Sequence, residues 1–196
     1  MTEPALDLLV LGWGYSARHG AAALKGDLRS CVTTARDPAK ADRLAATGLD
    51  VIRLADADAD TRLSEAVARA SHILVSAGPS EAGDPFLARL EPAIRAAAAA
   101  GTLRWIGYLS TVGVYGNADG GHVDETPVPE PASDRTRWRI AAEGAWAALG
   151  KEIGIPVAIL RLAGIYGPGR NAFVNLAKGT ARRIIKPGQM FNRSVP

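Results

Sequence analysis

The segment Gly12-Trp13-Gly14-Tyr15-Ser16-Ala17 has G-x-G-x-x-A spacing and directly follows the apolar run Leu8-Leu9-Val10-Leu11. Strand, tight turn and helix start, in that order, suit the binding of a dinucleotide pyrophosphate. Gly12 permits a sharp turn, Gly14 lets the backbone approach phosphate oxygens, and small Ala17 lets the helix pack on the strand. The N–H groups of the first helical turn, at Tyr15, Ser16 and Ala17, then face the anion at the positive end of the helix. About twenty residues on, where NAD-selective folds place an acid for the ribose 2′-hydroxyl, the chain reads Thr34-Ala35-Arg36. Arg36 suits a 2′-phosphate through charge-assisted hydrogen bonds, and reads otherwise as a solvated loop charge. The small residues Ala77 and Gly78, in Ser76-Ala77-Gly78-Pro79, would let a cofactor ribose lie against backbone, as would a plain turn before a helix. Asp37-Pro38 reads as an N-cap and first residue of a helix. Asp56 stands where a carboxylate could accept from an adenine amino group, although Asp56, Asp58 and Asp60 also suit helix capping or solvation. No residue is assigned to a metal.

These residues need elements to hold them. Short apolar, β-rich runs predict strands near residues 6–11, 30–34, 50–54, 72–76, 104–110 and 157–161. Alanine-rich stretches between them predict helices over 16–25, 38–47, 61–70, 85–100 and 135–150. Continuously apolar strands alternating with helices imply an α/β fold, a doubly wound parallel sheet of Rossmann type. Ligands on such sheets bind beyond the carboxyl ends of the strands, where strand order reverses. Burial on the sheet is sufficient to explain the apolar faces of helices 85–100 and 135–150, a homodimer being the alternative.

The chain has 196 residues, 47% hydrophobic and 22% charged, enough for one well-buried domain. The net charge of +3 is mild and no lysine/arginine block marks a nucleic-acid footprint. No run approaches a membrane span, and the N-terminus lacks a basic region before its apolar stretch. The single cysteine, Cys31, excludes an intramolecular disulfide, fits a reducing cytoplasm and reads as an inert core thiol. A soluble cytoplasmic protein is expected.

Three later segments carry a resemblance. They are Tyr108-Leu109-Ser110-Thr111-Val112-Gly113-Val114-Tyr115-Gly116, Val123-Asp124-Glu125-Thr126-Pro127, and the run from Leu160 to Arg170 containing Ala163-Gly164-Ile165-Tyr166-Gly167-Pro168-Gly169. With the glycine turn, they make the chain resemble the extended short-chain dehydrogenase/reductase superfamily, which includes NAD(P)-dependent epimerases and dehydratases, and most of all its atypical branch. The resemblance places Ser110 among the cofactor contacts and Thr111 where a hydroxyl bonds the substrate's reacting oxygen. It also implies a proton-transferring tyrosine and, four residues on, a lysine that lowers its pKa and holds the nicotinamide ribose. The matching stretch runs from Ser133 to Glu143 and places Arg135 at the tyrosine position and Arg139 at the lysine position. Arg139 retains the charge to hold ribose hydroxyls, but Arg135 stays protonated and cannot replace a phenol. Tyr115, Tyr166 and His122 are other acid/base candidates, each better explained by packing or solvation.

The same resemblance divides the chain into a dinucleotide domain, 1–170, and the start of an incomplete substrate-binding region, 171–196. Apolar side chains around Ile184, Ile185 and Phe191 are then expected at the surface, favouring self-association. Two functions remain open. One is an NADP-dependent oxidoreductase or sugar epimerase/dehydratase-like enzyme on a small-molecule substrate, with NAD as the alternative cofactor. The other is a non-catalytic NADP(H)-binding sensor, which the missing tyrosine and lysine favour. Nucleic-acid binding has only the basic balance behind it.

Overall fold

Residues 6–119 and 121–181 are described in a computed structural model of the chain. Six strands alternate with helices: β1 Leu6–Leu11, α1 Tyr15–Ala23, β2 Leu28–Ala35, α2 Pro38–Ala45, β3 Asp50–Arg53, α3 Ala59–Arg69, β4 His72–Val75, α4 Leu87–Ala99, β5 Trp105–Thr111, α5 Asp134–Ile153, β6 Val157–Leu162 and α6 Ala172–Ala177. The strands form one sheet in the order β3-β2-β1-β4-β5-β6, and every neighbouring pair is parallel. Strand order therefore reverses between β1 and β4. This is the doubly wound α/β sheet of Rossmann type that the alternation implies.

Side chains on successive strand residues point to opposite faces. Leu9 and Leu11 of β1, with Ile73, Val75, Ile106 and Tyr108, pack against Leu63 and Val67 of α3, Leu90 and Ile94 of α4, and Trp146 and Leu149 of α5. On the other face Leu8 and Val10 meet Ala17 and Ala21 of α1, whose spacing of four puts both small side chains on one stripe. Fully burying a side chain of Leu or Ile size stabilises by roughly 1.5–3 kcal/mol. The β1–β4 region, buried on both faces, is thus a stiff platform for the loops at its carboxyl edge.

Local signals set the helix ends. Asp37 Oδ1 accepts from the Lys40 N–H at 2.9 Å, with Pro38 in the first turn of α2. Ser133 and Thr136 form a capping box at the start of α5, and Gly154 ends that helix at φ +70°. Asp84 Oδ1 accepts from the N–H groups of Phe86 and Leu87 at 2.9 and 3.0 Å, while its Oδ2 accepts from the indole of buried Trp146 at 3.1 Å. One carboxylate therefore pins the loop after β4 to both α4 and α5.

Each strand and helix expected from the sequence is present, most ends moving by one to three residues. A 3-10 turn at Val112–Tyr115 and the short α6 were not expected. Cys31 is half-buried and packs against the edge of the core rather than within it, and burial raises its thiol pKa, which keeps it protonated. Residues 184, 185 and 191 lie outside the described residues. No helix among the described residues is long and apolar enough to cross a membrane.

Candidate functional site

Gly12 leaves β1 at φ +92°, and a Cβ there would lie 3.1 Å from the Ala77 nitrogen, so both conformation and space call for glycine. A Cβ on Gly14 would lie 3.2 Å from Ser76 Oγ. The turn is tied down from both sides. The Gly12 N–H donates to Thr34 Oγ1 at 2.8 Å, and the N–H groups of Ser76 and Ala77 both donate to the Leu11 carbonyl at 2.9 Å. Gly14 caps α1 without a side-chain hydrogen bond, leaving the first-turn N–H groups at Tyr15, Ser16 and Ala17 aimed outward. An open helix start behind a glycine turn is an anion site by geometry and by dipole.

Beyond this turn lies a cleft of about 540 Å³ at the β1/β4 reversal, lined by Gly12, Arg36, Ala77 and Gly78 among others. The structure therefore brings together four of the residues singled out from the sequence. Leu54 and Ala55 also line it, whereas Asp56 is exposed and not part of the lining. Arg36 is exposed at the rim and has no ion pair among the described residues. Sequence reasoning missed Trp13, Lys40, Phe86 and Arg89, which also line the cleft. Lys40 Nζ donates to the Trp13 carbonyl at 2.8 Å, and Arg89 is paired with Asp60. Lys40 was readable only as a residue in the first turn of the helix opened by Asp37-Pro38, and Arg89 arrives from α4 by tertiary packing alone. The glycine cradle, the uncapped helix start and the rim cations fit a dinucleotide.

At the carboxyl ends of β5 and β6 the polar side chains bond to one another. Ser110 is buried and its hydroxyl donates to Glu143 Oε1. Arg161 donates to Glu143 Oε2 from Nη2 at 2.8 Å and from Nε at 3.2 Å, and its Nη1 donates to the Tyr115 hydroxyl at 2.9 Å. The Glu143 hydrogen bond raises the Arg161 pKa, so this guanidinium stays charged. Thr111 accepts from the Gly113 N–H at 3.2 Å, which starts the 3-10 turn. Its hydroxyl proton has no acceptor among the described residues, so it remains able to donate.

Arg139 Nη1 donates to the Leu109 carbonyl at 2.9 Å and to the Tyr108 hydroxyl at 3.1 Å. Its Nη2 lies 2.9 Å from where a Cβ on Gly78 would stand, so the guanidinium packs against Gly78, although Arg139 itself does not line the cleft. Burial pushes the Tyr108 phenol up to about 12, with Arg139 pulling the other way, so Tyr108 is neutral at ordinary pH. Arg135, Tyr166 and His122 are exposed. Tyr15 links the turn after the central β1 to the loop after the edge strand β6: its hydroxyl donates to the Pro168 carbonyl at 3.1 Å, and a Cβ on Gly167 would strike that hydroxyl.

No protein-family model matches the chain, and no curated protein sequence matches it. Solved structures do. A functionally unknown conserved protein from Silicibacter pomeroyi is 41% identical, with 94% of this chain and 61% of that chain covered and a TM-score of 0.76. UDP-glucuronic acid 4-epimerase from Bacillus cereus, solved in complex with NAD, is 24% identical over 85% of this chain and 60% of that one, with a TM-score of 0.63. UDP-N-acetylglucosamine 4-epimerase from Bacillus cereus is 17% identical over 83% and 62%, with a TM-score of 0.62. The chain thus spans about three fifths of the length of these structures. Its fold is the one that these two nucleotide-sugar epimerases share.

Proposed function

We propose that the cleft at the β1/β4 reversal binds NADP(H), or NAD(H) more weakly, and that the protein is an oxidoreductase or sugar epimerase/dehydratase-like member of the short-chain dehydrogenase/reductase superfamily. The observation that carries this reading is the joining of the glycine cradle, the uncapped start of α1 and Arg36 around one cleft at the strand-order reversal. Tyr15, Ser16 and Ala17 would hold the pyrophosphate through backbone N–H groups, and Arg36 the 2′-phosphate. Gly78 and Arg139, packed against each other, would together face the nicotinamide ribose, with Ser110 behind them. The nicotinamide supplies hydride transfer when bound. Thr111 would donate its free hydroxyl proton to a carbonyl or hydroxyl oxygen of the substrate.

The second reading is a non-catalytic NADP(H) sensor, and a specific observation favours it. The positions of the missing tyrosine and lysine hold an exposed Arg135 and an Arg139 committed to Tyr108 and Leu109, neither of which can relay a proton at neutral pH. Fluorescence titration with NADPH and NADH, using Trp13 at the cleft wall, tests binding, and a carbonyl panel under NADPH tests turnover. The proposal expects saturable binding that Arg36→Ala weakens for NADPH alone. Sustained oxidation of NADPH identifies the enzyme; binding without turnover identifies the sensor. Absence of binding to a folded chain overturns both.

A further inference from the structure

Glu143 lies one turn along α5 from Arg139, yet its carboxylate is taken by Arg161 and Ser110. Arg139 is half-buried and makes no ion pair among the described residues. Both acceptors of its Nη1 are neutral: the Leu109 carbonyl at 2.9 Å and the Tyr108 hydroxyl at 3.1 Å. We infer that Tyr108 is a positioning residue, whose phenol oxygen orients the Arg139 guanidinium against Gly78 and leaves its charge free for the nicotinamide ribose. This role rests on the dinucleotide reading of the cleft and falls to a residue that does not itself touch the cofactor.

The first support is rigidity. The Tyr108 side chain is wholly buried in the core cluster that includes Ile106 and Trp146, so its hydroxyl is fixed by packing. The guanidinium carbon lies 5.5 Å from the centre of the same ring. Two consecutive residues of β5 therefore hold Nη1, and a side chain locked in this way presents its remaining donors in one geometry. Those donors, Nη2 and Nε, have no acceptor among the described residues.

The second support is space. Gly78 is not among the glycines of positive φ, so its backbone conformation does not call for glycine. The guanidinium does, because a Cβ there would stand 2.9 Å from Nη2. Gly78 lines the cleft, and Arg139 is thus seated directly against a wall of the proposed cofactor site. The third support is charge. A carboxylate in place of the phenol would neutralise Arg139, as Glu143 does Arg161. Burial holds the Tyr108 phenol up at about 12, so it accepts a hydrogen bond from Arg139 without cancelling its charge.

The test is a double-mutant cycle of Tyr108→Phe and Arg139→Ala, read by calorimetric titration of the full chain. The ligands are NADPH and 2′,5′-ADP, which lacks the nicotinamide ribose. Tyr108→Phe keeps the ring in the core and removes only the hydroxyl, and thermal melts establish that each variant is folded. NADPH should weaken roughly tenfold in Arg139→Ala and roughly fivefold in Tyr108→Phe, with the double variant within about twofold of Arg139→Ala. Binding of 2′,5′-ADP should change less than about twofold in all three. The inference is overturned if either single variant binds NADPH like wild type, if the two losses multiply in the double variant, or if 2′,5′-ADP weakens in step. Failure of folded wild type to bind either ligand would instead overturn the cleft reading, and Tyr108's role with it.

Discussion

At the carboxyl ends of β1 and β2 the helix start is uncapped and the cations Arg18, Arg36, Lys40 and Arg43 face no carboxylate partner, whereas at the ends of β5 and β6 Ser110, Glu143, Arg161 and Tyr115 bond to one another. The same sheet edge thus carries one region poised for an external anion and one that is internally satisfied. Binding potential and structural polarity can be told apart here by asking where each charged group finds its partner. Arg36 follows β2 and Arg161 lies near the end of β6, yet of the two only Arg161 has a carboxylate partner among the described residues.

The two regions should part most widely at Glu143. Glu143→Ala leaves the largely buried Arg161 uncompensated and should cost about 3–5 kcal/mol in urea unfolding, while cofactor affinity in the folded fraction changes less than about threefold. An equal loss of cofactor affinity would make this network part of the binding region. Gly12→Val should do the reverse. Its side chain meets the Ala77 backbone, and NADPH and NADH titrations should both weaken by about a hundredfold, with a stability cost of about 1–3 kcal/mol.

Tyr108 separates the regions through pH. Its folded pKa of about 12 stands above the usual phenol value near 10, so the unfolded chain ionises first. The stabilisation is fully present below pH 10 and is lost as pH rises to about 12, at up to roughly 1.4 kcal/mol per pH unit. Urea unfolding of wild type and Tyr108→Phe at pH 9 and 11.5 should show a steeper fall for wild type; parallel curves would contradict a raised phenol. The smallest effect belongs to Tyr15, the link between the regions. Tyr15→Phe removes the bond to the Pro168 carbonyl and should cost about 0.5–1.5 kcal/mol in thermal melts, without altering the NADPH/NADH ratio.

Much of this was legible in the sequence where the signal is local. Apolar runs of strand length, the Gly12–Gly14 spacing and Asp37-Pro38 each act within a few residues, and the elements they imply are present. Arg36 was visible because it directly follows a strand, which fixes its position at the carboxyl edge of the sheet. What stayed hidden depends on chain segments far apart. The Ser110 hydroxyl was noted, but its acceptor Glu143 lies thirty-three residues on. Arg89 reaches the cleft from α4, and Lys40 gains meaning only once α1 stands beside α2. The exchange of the tyrosine and lysine for Arg135 and Arg139 was readable, yet the hold of Arg139 on Tyr108 and Leu109 needed three dimensions.

A dinucleotide lying over the glycine turn, with its pyrophosphate on the start of α1, should be visible in the amide chemical shifts of the 15N-labelled chain during NADPH titration. Saturable shifts are expected at Gly14, Tyr15, Ser16 and Ala17, accompanied by Arg36, with Tyr115 and Arg161 nearly still. Shifts confined to Tyr115 and Arg161, or none at millimolar NADPH, would contradict that placement.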